Sequence, residues 1–352
     1  MGNDLLRLTP SGLFCEAGGF FIDPTGPVDR AVITHAHADH ARKGSRRYLT
    51  AERGRIILQT RMGPAAEIAT LPYGTPLDLN GVQVSFHPAG HILGSAQVRV
   101  EYQGEVWVVT GDYKTTRDRI GEPFELVRCH TLITESTFGS PQFAWSPEEE
   151  IFSQIDAWWA RNQMQGRASV LYAYALGKAQ RVLSGLSPDR GPIVISPEVE
   201  QATEDYRASG VTVLPRTVPL ASPPPRFDWS RALLIAPPSA MGSRLMRRCG
   251  AHATGFASGW MCLPDAAARR RVETGFVLSD HADWTELTAT AIATGAERVL
   301  VMHGDGTELI AWLQLRGVQA ERLDLKPRSE PLSESIGGGY RRPDRRESLI
   351  DH

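Results

Sequence analysis

The feature that most constrains this chain is a cluster of histidines directly after a short apolar run. The run Ala31-Val32-Ile33 predicts a buried strand, and the next residues read Thr-His-Ala-His-Ala-Asp-His. Imidazole nitrogens suit zinc, and carboxylates suit hard or borderline divalent cations. A surface loop that is rich in histidine by chance is disfavoured, because similar residues recur downstream. The segment therefore offers four candidate metal ligands, namely His35, His37, Asp39 and His40.

Three further candidate ligands stand after predicted strands. His91 lies in a loop of small residues, where flanking glycines give the backbone freedom to place one imidazole. Asp112 closes the apolar residues 106–109 and can bridge two metals, although a lone Gly-Asp after a strand is more often a turn. His303 again follows an apolar run. We expect one site from three histidines and a second site beside it, with Asp112 joining both: His35, His37 and His91 in the first, and Asp39, His40 and His303 in the second.

The composition is that of an ordinary globular protein. At 352 residues the chain is long for one domain and natural for two. No apolar run approaches the roughly 18 to 20 residues that span a bilayer. The N-terminus shows neither the basic region nor the long apolar stretch of a secretory signal, so we expect no such signal. Four cysteines without paired spacing disfavour disulfides and thiolate zinc sites, so we expect a cytoplasmic protein. The net charge of −2 requires any nucleic-acid surface to be local.

The predicted elements follow an α/β order with a change of character after Gly139. Before it, strands joined by short turns are predicted at residues 56–59, 82–87, 96–101, 105–110 and 131–135. Ser146 is expected to cap a helix that begins with Pro147 and three glutamates. Strands then alternate with helices, which predicts a parallel sheet: strands at 169–174, 192–196, 211–214 and 232–236, helices at 178–186, 198–208 and 240–248.

The strand-rich character returns at residue 275. A helix at 284–294, a strand at 297–302 and a helix at 308–315 are predicted to follow. Residues 215–225 are rich in proline and predict a surface loop. The tail from about residue 328 has little to bury, so we expect it to be mobile.

These motifs resemble those of the metallo-β-lactamase superfamily, in which His-x-His-x-Asp-His, Gly-His and Gly-Asp follow one another in this order. Glu135 and His281, which flank the inserted α/β unit, resemble motif positions of the β-CASP nucleases in that superfamily. Four segments are similar to bacterial DNA ligase-associated exonucleases, namely residues 6–23, 173–180, 256–260 and 279–284. The resemblance extends over nearly the whole chain.

The resemblance implies an α/β fold, specifically a metallo-β-lactamase αββα sandwich with an inserted Rossmann-like β-CASP cap domain. The sandwich would be formed by residues 1–140 and 275–327, and the cap by residues 141–274. Residues 328–352 would be the mobile tail. The cap is expected to cover a cleft that admits a nucleic-acid strand.

The resemblance also implies chemical roles. Two divalent metal ions, zinc with manganese as the alternative, are expected on His35, His37, Asp39, His40, His91, Asp112 and His303. Such a site activates water for in-line attack on phosphorus. His281, oriented by Glu135, is expected to protonate the leaving oxygen, and Asp39 is counted with them as catalytic. The alternative is a turn carboxylate at Glu135 and an ordinary helix-start residue at His281.

Three residues are predicted to contact phosphate. Lys178 follows a glycine at a predicted helix start, where a cation and free amides can meet an anion. Its alternative is a solvated lysine. Ser136 and Thr137 offer hydroxyl groups, or they simply cap a turn.

We consider three functions. The first is a metal-dependent 5′→3′ DNA exonuclease that trims single-stranded or duplex ends in repair, in association with an ATP-dependent DNA ligase and a helicase. The second is an RNA exo- or endonuclease resembling RNase J, because RNA-processing members of the family have a histidine at the position of His303. Against it, we expect no long C-terminal extension of the kind usual in those members. The third is a small-molecule hydrolase, which the inserted cap disfavours.

Overall fold

Three β-sheets organise the part of the chain that the computed structural model describes, residues 4–244 and 246–323. The first eleven strands are β1 (Arg7–Thr9), β2 (Gly12–Cys15), β3 (Phe20–Ile22), β4 (Arg30–Val32), β5 (Arg47–Ala51), β6 (Ile68–Leu71), β7 (Leu77–Leu79), β8 (Val82–Pro88), β9 (Ala96–Tyr102), β10 (Glu105–Val109) and β11 (Thr131–Thr134). The later strands are β12 (Ala168–Tyr172), β13 (Ile193–Ile195), β14 (Val218–Pro219), β15 (Leu233–Ala236), β16 (His252–Ala257), β17 (Thr274–Phe276), β18 (Arg298–Val301) and β19 (Gln319–Arg322).

Seven α-helices accompany the strands in the described residues, and the overall class is therefore α/β. They are α1 (Arg55–Met62), α2 (Glu148–Met164), α3 (Lys178–Gly185), α4 (Pro197–Ala208), α5 (Ala266–Arg269), α6 (Trp284–Ala293) and α7 (Thr307–Gln314).

The first and second sheets are mixed, and the third is parallel throughout. The first sheet has the order β1-β2-β3-β4-β5-β6, and its strands are parallel from β3 onward. The second has the order β19-β18-β11-β10-β9-β8-β7, with parallel pairing among β19, β18, β11 and β10. The third has the order β14-β13-β15-β12-β16-β17. The predicted parallel sheet is thus present.

The first two sheets face each other across a shared apolar core. Phe20 and Ile22 of β3 pack with Val84, Val98 and Ile133 of the second sheet, and all five side chains are buried. On β9, alternate residues point into this core, as the two-residue period of a strand requires. The loops that follow β4, β8, β10 and β18 meet at one edge of this pair of sheets.

Helices cover the two outer faces. Leu287 of α6 and Leu309 of α7 pack against Val108 and Val299 on the outer side of the second sheet. On the outer side of the first sheet, Ile57 of α1 belongs to an apolar cluster that continues into the helices around the third sheet. We refer to residues 148–276, which contain the third sheet and its helices, as the third-sheet unit.

Three predicted elements are wrong. Residues 56–59 lie in α1 instead of a strand, because a short apolar run does not distinguish the two; Ile57 is buried and Ile56 exposed. Residues 211–214 form no strand, and β14 in the proline-rich segment pairs with β13 instead. The described residues of 240–248 form only 3₁₀ segments, where Gly242 at φ +73° interrupts any helix.

The predicted N-cap of α2 is also wrong. The cap position of α2 is Pro147, which makes no side-chain cap bond, so Ser146 is not the N-cap.

The predicted mobile tail, residues 328–352, lies outside the described residues. Among the described residues, no helix combines the length and apolarity needed to cross a membrane. The four cysteines are unpaired.

Candidate metal centre

The candidate ligands gather because each follows a strand end at one edge of the two facing sheets. The loop after β4 is fixed by Asp23, whose carboxylate accepts hydrogen bonds from the amide of Thr34 at 2.8 Å and from its hydroxyl at 2.6 Å. His91 follows β8, Asp112 follows β10 and His303 follows β18. Side chains as far apart in sequence as His35 and His303, which are 268 positions apart, therefore lie at the same edge.

One group of side chains converges on a single point. The ligand atoms of His35, His37, His91 and Asp112 all lie within 4.8 Å of one another. His91 Nε2 lies 3.0 Å from His37 Nδ1, and His35 Nε2 lies 3.4 Å from Asp112 Oδ2. Three nitrogens and one carboxylate oxygen therefore face a common centre, as the sequence predicts for the first site.

A second group faces the other oxygen of the same carboxylate. His40 Nε2 lies 3.4 Å from Asp112 Oδ1 and 3.4 Å from Asp39 Oδ2. The rings of His40 and His303 are 5.0 Å apart between centroids. His303 has a left-handed backbone with φ +54°, a conformation that non-glycine residues adopt at a cost. Asp112 consequently stands between the two groups, with one oxygen toward each.

The orientation of the imidazoles fits bound metal. Within the described residues, His35 Nε2 and His40 Nε2 are buried without a hydrogen-bond partner, which is costly unless an ion or water completes them. Their other ring nitrogens are anchored: His35 Nδ1 lies 3.1 Å from the Thr34 hydroxyl, and His40 Nδ1 lies 2.7 Å from Asp23 Oδ2. Metal-binding histidines are usually oriented in this way. The cluster can hold metal ions.

Burial and charge set the protonation of these groups in the metal-free protein. Burial lowers the pKa of His37 to about 4, and it also lowers the pKa values of His91 and His303. Burial opposes the charged form of His40 as well, but nearby carboxylates, first Asp112, outweigh it and raise the pKa of His40. His37, His91 and His303 therefore carry the neutral imidazoles that metal ligation needs, whereas His40 would release a proton on binding an ion.

The buried Glu135 pairs with the partly buried His281 beside the first group. Glu135 Oε2 lies 2.9 Å from His281 Nδ1, and Glu135 Oε1 accepts a hydrogen bond from the Tyr113 amide at 2.7 Å. The His281 ring lies 4.6 Å from that of His91. Burial disfavours the imidazolium, but the charge of Glu135 outweighs it and raises the pKa of His281 to about 9. The pair can hold a proton at neutral pH, with the imidazole of His281 beside the first ligand group.

The three residues predicted to contact phosphate are engaged inside the protein. The Ser136 hydroxyl donates to the carbonyl of His303, and the Thr137 hydroxyl donates to Glu135 at 2.5 Å. The Lys178 ammonium is buried and donates to Asp280 Oδ1 at 2.5 Å. These contacts position neighbouring groups, and phosphate binding by the three residues stays a prediction.

Sequence reasoning missed two residues that support the centre. Asp23 follows β3 with a left-handed φ of +43° and anchors both Thr34 and His40. Its position after a strand, like that of the ligands, was the available signal. Arg181 of α3 donates to the carbonyl of His91 at 3.1 Å, and a helical arginine gives no sequence signal of such a contact.

Comparisons with known proteins add relatives along most of the chain, although no protein-family model matches. The chain is 31% identical over 333 residues to a probable DNA ligase of Opitutus terrae, covering 91% of this chain and 32% of that protein. It is 27% identical over 196 residues to the endoribonuclease YSH1 of Yarrowia lipolytica, covering 44% of this chain and 23% of that one. It is 33% identical over 119 residues to the transcription termination factor FttA of Pyrococcus abyssi, covering 32% of this chain and 18% of that one. The chain thus spans a third or less of these relatives.

A solved structure shares the fold. A protein of unknown function from Enterococcus faecalis V583 superposes with a TM-score of 0.53 at 14% identity, covering 79% of this chain and 76% of that one. The sequence relatives, with which the strand-end cluster is consistent, make this chain a member of the metallo-β-lactamase superfamily. Within it, the chain belongs to the β-CASP nuclease family.

Proposed function

We propose that this chain is a metal-dependent phosphodiesterase acting on nucleic acid, and specifically a 5′→3′ DNA exonuclease that works in repair with a DNA ligase. The observation that carries the proposal is Asp112, whose two carboxylate oxygens face two histidine groups beside the Glu135–His281 pair. Support for DNA comes from the probable DNA ligase, which matches this chain over about a third of its own length.

The domain assignment is part of the proposal. Residues 1–140 and 275–327 would form a metallo-β-lactamase αββα sandwich, and residues 141–274 would form the β-CASP cap inserted in it. The facing sheets with helices on both outer faces support the sandwich, and the parallel third sheet supports the cap.

Different residues of the chain would perform different parts of phosphodiester hydrolysis. His35, His37 and His91 would hold one ion, Asp39, His40 and His303 a second, and Asp112 both. Zinc or manganese there supplies Lewis-acid activation of water and of the phosphate. His281 Nε2 gives its proton to the leaving oxygen. Glu135 keeps the ring oriented and protonated through Nδ1.

A second candidate is an RNA nuclease. The ring of His303 lies beside His40, and the family's RNA-processing members have a histidine at this position. Relatives named as endoribonucleases also match the chain. The two candidates share the site and differ in the nucleic acid that it accepts.

Matched DNA and RNA oligonucleotides of one sequence, labelled at either end, test the choice. With Zn²⁺ or Mn²⁺ present, we expect small products from the 5′ end of DNA and no cutting of a circular single strand. His37→Ala, expressed and assayed in parallel, should be inactive on every substrate. Preferential RNA cleavage would favour the second candidate, cutting of the circle would indicate an endonuclease, and cleavage of neither polymer would contradict both.

A further inference from the structure

The loop that carries His91 is held from outside by the third-sheet unit. Arg181 of α3 donates to the carbonyl of His91 at 3.1 Å. Farther along the same loop, the amide of Leu93 donates to the hydroxyl of Tyr206 in α4 at 3.2 Å. Two helices of the third-sheet unit therefore fix the backbone of a loop that belongs to the facing sheets and carries the candidate ligand His91.

His37 depends on the same unit. Its Nε2 lies 3.2 Å from the carbonyl oxygen of Leu176, just before α3, and this contact leaves Nδ1 to face His91. Gly177 adopts φ +85°, and a Cβ atom there would lie 2.3 Å from Ile92 Cγ2. The turn between Leu176 and α3 thus packs directly against the His91 loop.

Arg181 is the anchor of this contact. Its side chain is buried and forms ion pairs with Asp118 at 3.1 Å and with Glu148 at 2.7 Å. Asp118 lies in a loop after β10 and Glu148 begins α2, so one guanidinium links three segments. Removing it would loosen the contact between α3 and the His91 loop.

The other half of the centre is anchored elsewhere. His40 Nδ1 is held by Asp23 at 2.7 Å, and Asp23 in turn accepts from Thr34. The backbone of His303 is held by the hydroxyl of Ser136 after β11. These partners belong to the two facing sheets and their loops, not to the third-sheet unit.

We propose that α3, together with Leu176 and Gly177 before it, completes the metal position of His35, His37 and His91. Weakening the α3 contact releases the ion from that position and spares the position of Asp39, His40 and His303. The inference rests on the proposed metal-dependent function. Its physical basis is that the partners which orient ligating histidines, here carbonyl oxygens and backbone contacts, govern affinity for the ion.

Two variants, each with one of the two metal positions disabled, allow ion binding at the other position to be measured by itself. In the 352-residue chain, His40→Ala disables the second position and His91→Ala disables the first. Arg181→Met is added to each, and Zn²⁺ affinity is measured by competition with a chelating dye. We expect Arg181→Met to weaken Zn²⁺ binding about 10- to 100-fold in the His40→Ala background. In the His91→Ala background we expect the affinity to stay the same.

Arg207→Met is the matched control. Arg207 of α4 also forms an ion pair, with Glu204, and donates to a carbonyl, that of Pro215, but all three residues lie within the third-sheet unit. It should leave Zn²⁺ affinity unchanged in both backgrounds. Circular dichroism in chelator verifies folding, and if Arg181→Met does not fold, Arg181→Lys replaces it under the same criterion.

The outcomes are distinguishable. Equal weakening in both backgrounds, or none in either, overturns the inference while leaving metal binding intact. Failure of the unsubstituted protein to bind Zn²⁺ overturns the proposed function as well.

Discussion

At the scale of single residues, Asp112 is the side chain that both ligand groups share. It is buried, and burial alone would raise the pKa of its carboxyl group. The charge of His40, with smaller contributions from His281 and His35, outweighs burial and holds that pKa well below its usual range. The carboxylate is therefore ionised in the metal-free protein, with one oxygen toward each candidate ligand group.

Asp112→Asn should reduce turnover by more than about 100-fold, since loss of a mere supporting partner already costs 10- to 100-fold. The amide keeps the shape but halves the acceptor capacity of the group. Zn²⁺ content by mass spectrometry should fall below that of the unsubstituted protein, with an unchanged circular dichroism spectrum. Full metal content and full turnover would contradict the bridging position.

His281→Ala should lower kcat by about 10²- to 10⁴-fold with little change in KM, because a proton donor acts only in the transition state. The comparison substrate is a p-nitrophenyl phosphodiester, whose leaving group departs without a proton. On that substrate the loss should largely disappear. A loss of equal size on both substrates would mean that His281 has another role.

At the scale of elements, the loop between β8 and β9 brings His91 to the centre by close backbone contact. Gly94 has φ +76°, and a Cβ there would lie 2.3 Å from the Cα of Gly54. Gly54 ends the 3₁₀ segment between β5 and α1, so this crossing holds the His91 loop against that segment. Only glycine allows the two backbones to approach so closely.

Gly94→Ala should destabilise the protein by clearly more than Gly74→Ala. Gly74 has a similar φ of +73°, but a Cβ at that position would meet nothing within 4 Å, so its substitution costs only the backbone strain of about 1 kcal/mol. Urea unfolding of both variants measures the difference. Equal free energies of unfolding would show that the two backbones can separate at little cost.

Some of the elements and contacts around the candidate site could be predicted from the sequence, and others could not. The candidate ligands could be brought together from the sequence because metal chemistry restricts the residue types, and because His91, Asp112 and His303 each follow an apolar strand. The strands of the first sheet have only three to five residues, too few to show a period. Contacts such as that of Arg181 with His91 join positions 90 apart, and no local pattern encodes them.

At the scale of the whole molecule, one apolar cluster joins the first sheet to the third-sheet unit. Ile33 and Ile57 share it with Ile155, Trp159 and Leu171. A continuous core of this kind favours unfolding of the two parts as one unit, and ligand binding at their border should stabilise both.

Removal of metal with a chelator should therefore lower Tm, and Zn²⁺ should restore it. An ion at a free concentration 100 times its Kd contributes about 2.7 kcal/mol to folding. Differential scanning calorimetry with and without chelator measures the shift. Asp112→Asn should show a smaller shift, and an unchanged Tm in the unsubstituted protein would argue against bound metal.

The place of β18 in the second sheet has a consequence for biosynthesis. This strand lies near the end of the described chain, yet it pairs between β11 and β19, and His303 follows it. A ribosome must therefore translate past residue 303 before the second ligand group can be complete. A shorter nascent chain cannot assemble the full centre, so an enzyme with the proposed activity would not cut nucleic acid before residue 303 has been translated.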